Sequence, residues 1–308
     1  LPEKLKCFDQ ILIQDGSSFA LHPELAEHFP GRFTQHCPAA VECHMRMSLL
    51  DVLPVTMEVS ADEESESMKN KLLLADAGYI SQAYMQNVAH WGGYFLLRYS
   101  KAINPTIVSA QTARGKPLPS LNGLKLKNMR RHHSRAKVLD LDIEWKKFRC
   151  RAVRFWHPTK KRYLTWLTNL PREKFSCDDV MKLYRLRWQV ELLFKEWKSY
   201  NNLHAFVTRQ PQIAEGLIWA SLLSLLLKRY IGKVAQNYSG KIRLSTFKIA
   251  KSTHGWLDPL MRSLATVFNS QLKIDLRWAV DYIITNCERS QQSKARQAKG
   301  LEGILGAL

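Results

Sequence analysis

Acidic residues are scarce in this 308-residue chain: 27 Asp and Glu stand against 46 Lys and Arg, for a net charge of +19 and a pI near 9.8. Such an imbalance suits a polyanion, because cations that neutralise phosphates release condensed counterions. A merely soluble basic protein carries the same signal, and charge is silent about fold. Cysteines are few and scattered: the six (Cys7, Cys37, Cys43, Cys150, Cys177, Cys287) form no CxxC pair. That excludes a disulfide framework and points to a reducing compartment. His36, Cys37, Cys43 and His44 invite a zinc site, yet their spacing is wrong for one and His44 falls in an alternating, strand-like stretch. Long apolar runs are missing too. The longest, residues 216–227, is interrupted by serines and closed by Lys228-Arg229, which excludes a bilayer span and reads as a buried core helix. No signal peptide and no internal repeat is visible. The chain opens on Leu1 rather than Met and a strand-like run follows almost at once, so the sequence reads as lacking an N-terminal piece.

What is present is the balance of an ordinary globular protein, 45% apolar and 24% charged. Gln10-Ile-Leu-Ile-Gln-Asp15-Gly16 reads as a short apolar strand ending on an acid. Residues 40–47 alternate and pair with 52–59 as antiparallel strands. The charged run 62–71 reads as a solvated helix face. Lys71-Leu-Leu-Leu-Ala-Asp76-Ala-Gly-Tyr79 is a second strand ending on an acid, followed by a helix over 81–90 and a strand over 93–99. This order matches a ribonuclease-H-like mixed α/β sheet. Residues 105–135, rich in Pro, Gly and basic residues, read as loops. Strands over 138–145, 148–157 and 162–168, with a hairpin turn at 158–161, complete a β-rich insertion. Ser176 and Asp179 form a capping box that starts a helix running to about residue 200. Further helices follow, and 290–300 reads as a polar, basic, mobile tail. The expected units are 8–104 and 173–210 for the catalytic core, 105–172 for the insertion, 211–289 for a helical C-terminal region and 290–308 for the tail.

Asp15 and Asp76 each end an apolar strand, so their carboxylates converge if the strands are neighbours. Converged carboxylates repel unless a cation neutralises them, and Mg²⁺ prefers carboxylate and phosphate oxygens. Taken singly, either acid reads first as a turn residue. A third acid changes the balance. In Leu183-Tyr-Arg-Leu-Arg-Trp-Gln-Val-Glu-Leu-Leu-Phe-Lys-Glu-Trp-Lys198, the residues Tyr184, Glu191 and Lys198 recur every seven positions on one helical stripe, with Arg187 and Lys195 four positions either side of Glu191. The stripe serves equally as an exposed charge ladder or as a carboxylate flanked by phosphate grips.

Tyr184-x2-Arg187-x3-Glu191-x6-Lys198 resembles the Y-R-E-K signature of the insertion-sequence-four family of bacterial DDE transposases, and the contexts of Asp15 and Asp76 resemble that family's two aspartates. The resemblance covers residues 8–210. It implies a ribonuclease-H-like fold in which Asp15, Asp76 and Glu191 are catalytic and bind two Mg²⁺ ions, with Mn²⁺ able to substitute. It implies that Tyr184, Arg187, Lys195 and Lys198 contact DNA. It also implies that an aromatic on the insertion, Trp166 or Tyr163, receives a flipped base, although Trp166 reads equally as a core residue. The implied activity is cleavage and strand transfer at insertion-sequence ends by a cytoplasmic, DNA-associated bacterial protein, a homodimer on double-stranded DNA with no membrane partner. The alternatives are a catalytically inactive or truncated DNA-binding remnant and a structure-selective nuclease on the same fold.

Overall fold

The computed structural model describes residues 2–33, 37–49, 53–58, 68–129, 136–200, 207–265, 269–290 and 300–308. Among them ten strands join in one sheet: β1 (Gln10–Ala20), β2 (Pro30–Phe33), β3 (Cys37–Ser48), β4 (Leu53–Glu58), β5 (Lys71–Ala75), β6 (Tyr94–Arg98), β7 (Thr106–Thr112), β8 (Val138–Trp145), β9 (Phe148–His157) and β10 (Arg162–Thr168). The order is β2-β3-β1-β5-β6-β10-β9-β8-β7, with β4 also paired to β3. β1 runs antiparallel to β3 and parallel to β5, and β5 runs parallel to β6. The fold is therefore a mixed α/β one.

Helices cover both faces of the central strands, as the apolar run in β5 requires, since a strand without a polar side must be buried twice. Alternate residues Ile11, Ile13, Leu72, Leu74 and Leu96 face α2 (Cys177–Arg185), α3 (Trp188–Tyr200) and the first half of α4 (Pro211–Tyr238). Leu12, Leu73, Ala75, Phe95 and Leu97 face α1 (Gln82–His90) and residues of β7–β9. A separate core joins the second half of α4 to α5 (Thr246–Lys251), α6 (Thr253–Leu264) and α7 (Asn269–Asn286) through Trp256, Leu260 and Ile283. No helix among the described residues is long and apolar enough to cross a membrane.

Several expectations change here. β1 does not stop at Asp15 but continues to Ala20, because its antiparallel partner β3 carries on to Ala40 beside it. The single helix expected over 177–200 is two helices. At the junction Leu186, Arg187, Gln189 and Val190 all donate to carbonyls three residues back, a tight turn that redirects the chain. The capping box is present: Ser176 Oγ accepts from the Asp179 amide at 3.2 Å and Asp179 accepts from the Ser176 amide at 2.9 Å. Residues 105–135 are not all loop, since Thr106–Thr112 forms the edge strand β7. The strands β7–β10 of the β-rich segment extend the central sheet, with β10 hydrogen-bonded to β6. At the chain's end α8 (Leu301–Leu305) buries Ile304 against α2, and Lys182 donates to the Ala307 carbonyl at 2.7 Å. Residues 62–67 of the expected helix face, the basic cluster at 130–135 and residues 291–299 of the expected tail lie outside the described residues, while Met68 to Asn70 form a turn that leads into β5 at Lys71.

Candidate functional site

The parallel register pairs Gln14 with Ala75, so Asp15 and Asp76 follow at matching positions where the β1–β5 ladder ends. Asp15 stays on β1, while Asp76 precedes a short 3₁₀ turn over Ala77–Tyr79. The turn between α2 and α3 then swings Arg187 over the sheet edge. Its Nη1 donates to Asp15 Oδ2 at 2.5 Å and its Nη2 donates to Glu191 Oε1. Tyr184, on the last turn of α2, donates to Asp76 Oδ1 at 3.1 Å, and Arg98 Nη1 lies 3.9 Å from the same oxygen. Asp15 and Glu191, remote in sequence, thus share one guanidinium, with Asp76 beside them on Tyr184 and Arg98.

The electrostatics are those of a site with more acid than base. Burial raises the Asp15 pKa; Arg187 and the Gly16 amide oppose that, and Asp76 and Glu191 add to it. Burial also raises the Tyr184 phenol and Asp76 reinforces the shift, so Tyr184 stays a donor at neutral pH. Burial works against the charge of Arg187, but Tyr184, Glu191 and Asp15 outweigh it and hold the guanidinium above its usual range. Among the described residues no three His, Cys, Asp or Glu are grouped closely enough to hold a metal ion as they stand. In kind the donors fit one: carboxylate oxygens that already converge on a cation are what a hard divalent ion prefers. In spacing the place between Asp15 and Glu191 is filled by Arg187.

The other expected residues scatter. Lys195 is exposed, one turn beyond Glu191 on the same side of α3. Lys198 does not continue a stripe from Tyr184, because the break at Leu186 interrupts it; its Nζ sits 5.0 Å from the Phe19 ring. Trp166 is 9% exposed and packs against Tyr184 at 5.9 Å, a mainly buried aromatic that also lines the cavity beside Arg187. Tyr163 instead lines a cavity of about 1070 Å³ with Trp156, Arg98, Lys101, Lys127, Lys161 and Arg162. Through Arg98, Arg162, Leu164 and Thr165 that cavity continues into a second of about 580 Å³ beside Tyr184, Arg185, Arg187 and Trp188. Trp188 is 57% exposed there. The Arg187-Trp188 pair was the available sequence signal for it; the groove, drawn from segments around Arg98, Lys127, Trp156, Tyr163 and Trp188, had none. The zinc reading fails where it can be judged: Cys43 is buried in the core and its thiol is pushed up to about 12 by burial, while His44, its strand neighbour, points to the opposite face and bonds Tyr79 Oη at 2.7 Å. His36 and the Cys37 side chain lie outside the described residues.

A mixed sheet with acids gathered where two parallel strands part, and a cationic groove alongside, has the make-up of a nucleic-acid-processing domain. The chain belongs to the family described as Transposase DDE domain, which it matches over residues 7–227. It is 44% identical over 61 residues to the putative transposase InsL for insertion sequence element IS186A of Escherichia coli (strain K12), covering 20% of this chain and 16% of that protein. It is 24% identical over 272 residues to the transposase for insertion sequence element IS1151 of Clostridium perfringens, covering 73% of this chain and 57% of the relative. Its fold is similar to that of the piggyBac transposase in a cryo-EM synaptic complex with hairpin DNA, with a TM-score of 0.50 at 13% identity, covering 98% of this chain and 63% of that one. The chain spans less than two thirds of the length of each of these proteins.

Proposed function

We propose that this chain is the catalytic part of a DNA transposase of the insertion-sequence-four kind, cutting and joining DNA at the ends of a mobile element. In this reading β4-β3-β1-β5-β6 is a ribonuclease-H-like core, and Asp15, Asp76 and Glu191 are the catalytic acids. The observation that carries it is the β1–β5 register, which sets Asp15 beside Asp76, together with the Arg187 bridge that ties Glu191 to Asp15. Two divalent ions, Mg²⁺ or Mn²⁺, held by the three carboxylates would activate the attacking oxygen and stabilise the leaving one.

The remaining work falls to the chain's own side chains. Tyr184, kept protonated by burial and by Asp76, holds that acid in place or donates to a phosphate oxygen. Arg187 offers a planar fork that fits a phosphate as well as it fits two carboxylates. Lys195 and Lys198 add charge along α3. The groove of Arg98, Lys101, Lys127 and Arg162 tracks a DNA backbone, with Trp188, Trp156 and Tyr163 as faces on which bases stack. Water attacks first, then the freed 3′ hydroxyl, on double-stranded DNA whose two ends are brought together by a homodimer.

Divalent-dependent nicking of end-containing duplex DNA, with Glu191→Ala beside the parent, tests the reading. Equal nicking by parent and variant overturns the assignment of the acids. DNA binding without cleavage in Mg²⁺ or Mn²⁺ favours a non-catalytic relative.

A further inference from the structure

α3 has two sides with different tasks. Val190, Leu193, Phe194 and Trp197 form an apolar strip in the core, where Trp197 meets Phe19 edge-on at 4.8 Å. Such a strip secures the helix without fixing its position along the axis, because apolar side chains of similar volume exchange neighbours at low cost. Glu196 lies roughly 140° around the helix from Glu191, on the side that meets α4. It is 7% exposed and accepts from Arg229 Nη2 at 2.5 Å, and Arg229 is 9% exposed. Lys228, also buried, faces the same carboxylate. One residue on, Trp197 Nε1 donates to Ser221 Oγ at 3.0 Å. Arg229 sits where α4 passes from the central core, through Ile218, Leu222 and Leu225, into the C-terminal core at Ile231 and Ala235. It also lies just past the residues matched to the family.

A buried ion pair adds little net stability, because desolvating both charges offsets their attraction; its best-attested use is to select one register over others. A slip of α3 by one residue would turn Glu191 by about 100° and drive the Glu196 charge into apolar side chains. We infer that Glu196 and Arg229 are positioning residues, a pin that sets α3 against α4 so that Glu191 reaches the Asp15–Arg187 cluster. The C-terminal helical core thereby becomes part of the frame of the site. The inference rests on Glu191 being the third catalytic acid.

Its test compares the parent, Arg229→Met, the pair Glu196→Gln with Arg229→Met, and Glu191→Ala. Gln keeps an acceptor for Lys228 in the pair. Arg229→Met alone takes the hydrogen-bonded partner from Glu196, leaving Lys228 as the one cation that faces it among the described residues, and melts lower than the parent. The pair, in which Lys228 alone keeps a buried charge, still melts cooperatively and binds duplex DNA with the parent's affinity, yet nicks it about tenfold more slowly at saturating DNA and needs more Mn²⁺ for half-maximal rate. Parent rate and Mn²⁺ dependence in the folded pair overturn the pin. Should the pair fail to fold, the isosteric Glu196→Gln decides in its place: a cooperative melt with unchanged rate and Mn²⁺ dependence overturns it. Full nicking by Glu191→Ala would instead overturn the reading of the acids, so the two failures are distinct.

Discussion

Two arginine–carboxylate clusters lie in the same sheet and are built in opposite ways. In β8 and β9, Arg151 grips Asp140 through two bonds of 2.8 and 3.0 Å and spends its remaining donors on the Phe175 and Leu170 carbonyls. Arg172 bonds Asp142 at 2.6 Å, and Ser109 donates to the same carboxylate at 2.5 Å. Acids and bases there are matched. At the end of the β1–β5 ladder Arg187 serves two acids, and the third, Asp76, has Arg98 no nearer than 3.9 Å. The two sites shift their aspartates in opposite directions. Burial works against the charge of Asp142, but bonds from Arg172 and Ser109 prevail and hold its pKa below the usual range; at Asp15 burial prevails and the pKa rises. A matched cluster consolidates a fold, whereas a cluster left short of positive charge is equipped to bind something that brings it.

The contrast can be broken at several points. Glu191→Ala should lower nicking by about 10³-fold or more while the protein melts near the parent temperature; a large drop in melting would make that cluster structural as well. Arg151→Met should do the reverse, losing about 3–5 kcal/mol in urea denaturation because buried Asp140 loses its two-bonded partner and keeps Arg172 on one oxygen. Retained stability there would remove the distinction. Gly16→Ala is a smaller probe: an added Cβ would lie 2.9 Å from His44 Nδ1 and 3.1 Å from Tyr79 Oη. It must loosen the His44–Tyr79 bond beside Asp15, at about 1 kcal/mol, visible as a melting shift.

The finest comparison is of pH dependence. The folded state holds the Asp15 proton more tightly than the unfolded chain does, so ionising Asp15 costs stability as pH rises from about 4 through its raised pKa. Asp15→Asn should therefore melt above the parent at neutral pH, and the gain should vanish below about pH 4. Asp142, with a lowered pKa, contributes stability that is present at neutral pH and lost as pH falls through that pKa. Asp142→Asn should melt below the parent at pH 7 and converge with it in acid. Shifts of the same sign in both variants would erase the difference between the clusters.

The apolar runs and the acids that end them were legible because strand burial writes itself locally: Leu72 to Ala75 needs no partner to be recognised. The spacing of Tyr184, Arg187 and Glu191 was legible for the same reason. What Arg187 holds was not, because the turn at Leu186 sits inside a pattern that reads as continuous helix. β7 was hidden by its flanking Pro105 and Pro117, which signal loops to any local reading. The Glu196–Arg229 pair and the groove from Lys101 to Trp188 depend on segments that meet only in the folded chain. Register between parallel strands is likewise set by distant packing, so the matching of Asp15 with Asp76 could be supposed but not located.

Because β10 returns to lie against β6, the chain leaves β6 at Arg98 and comes back beside it with Trp166 opposite that residue. The strands in between close on one another as successive antiparallel neighbours, β7 with β8, β8 with β9 and β9 with β10. Local pairings of this kind cost little loop entropy and form early in folding. Once they have formed, Asp76 and Glu191 are separated in kinetic terms by short connections rather than by the long stretch of sequence between them. The acid farthest along the chain then arrives at a half-assembled site as a near neighbour.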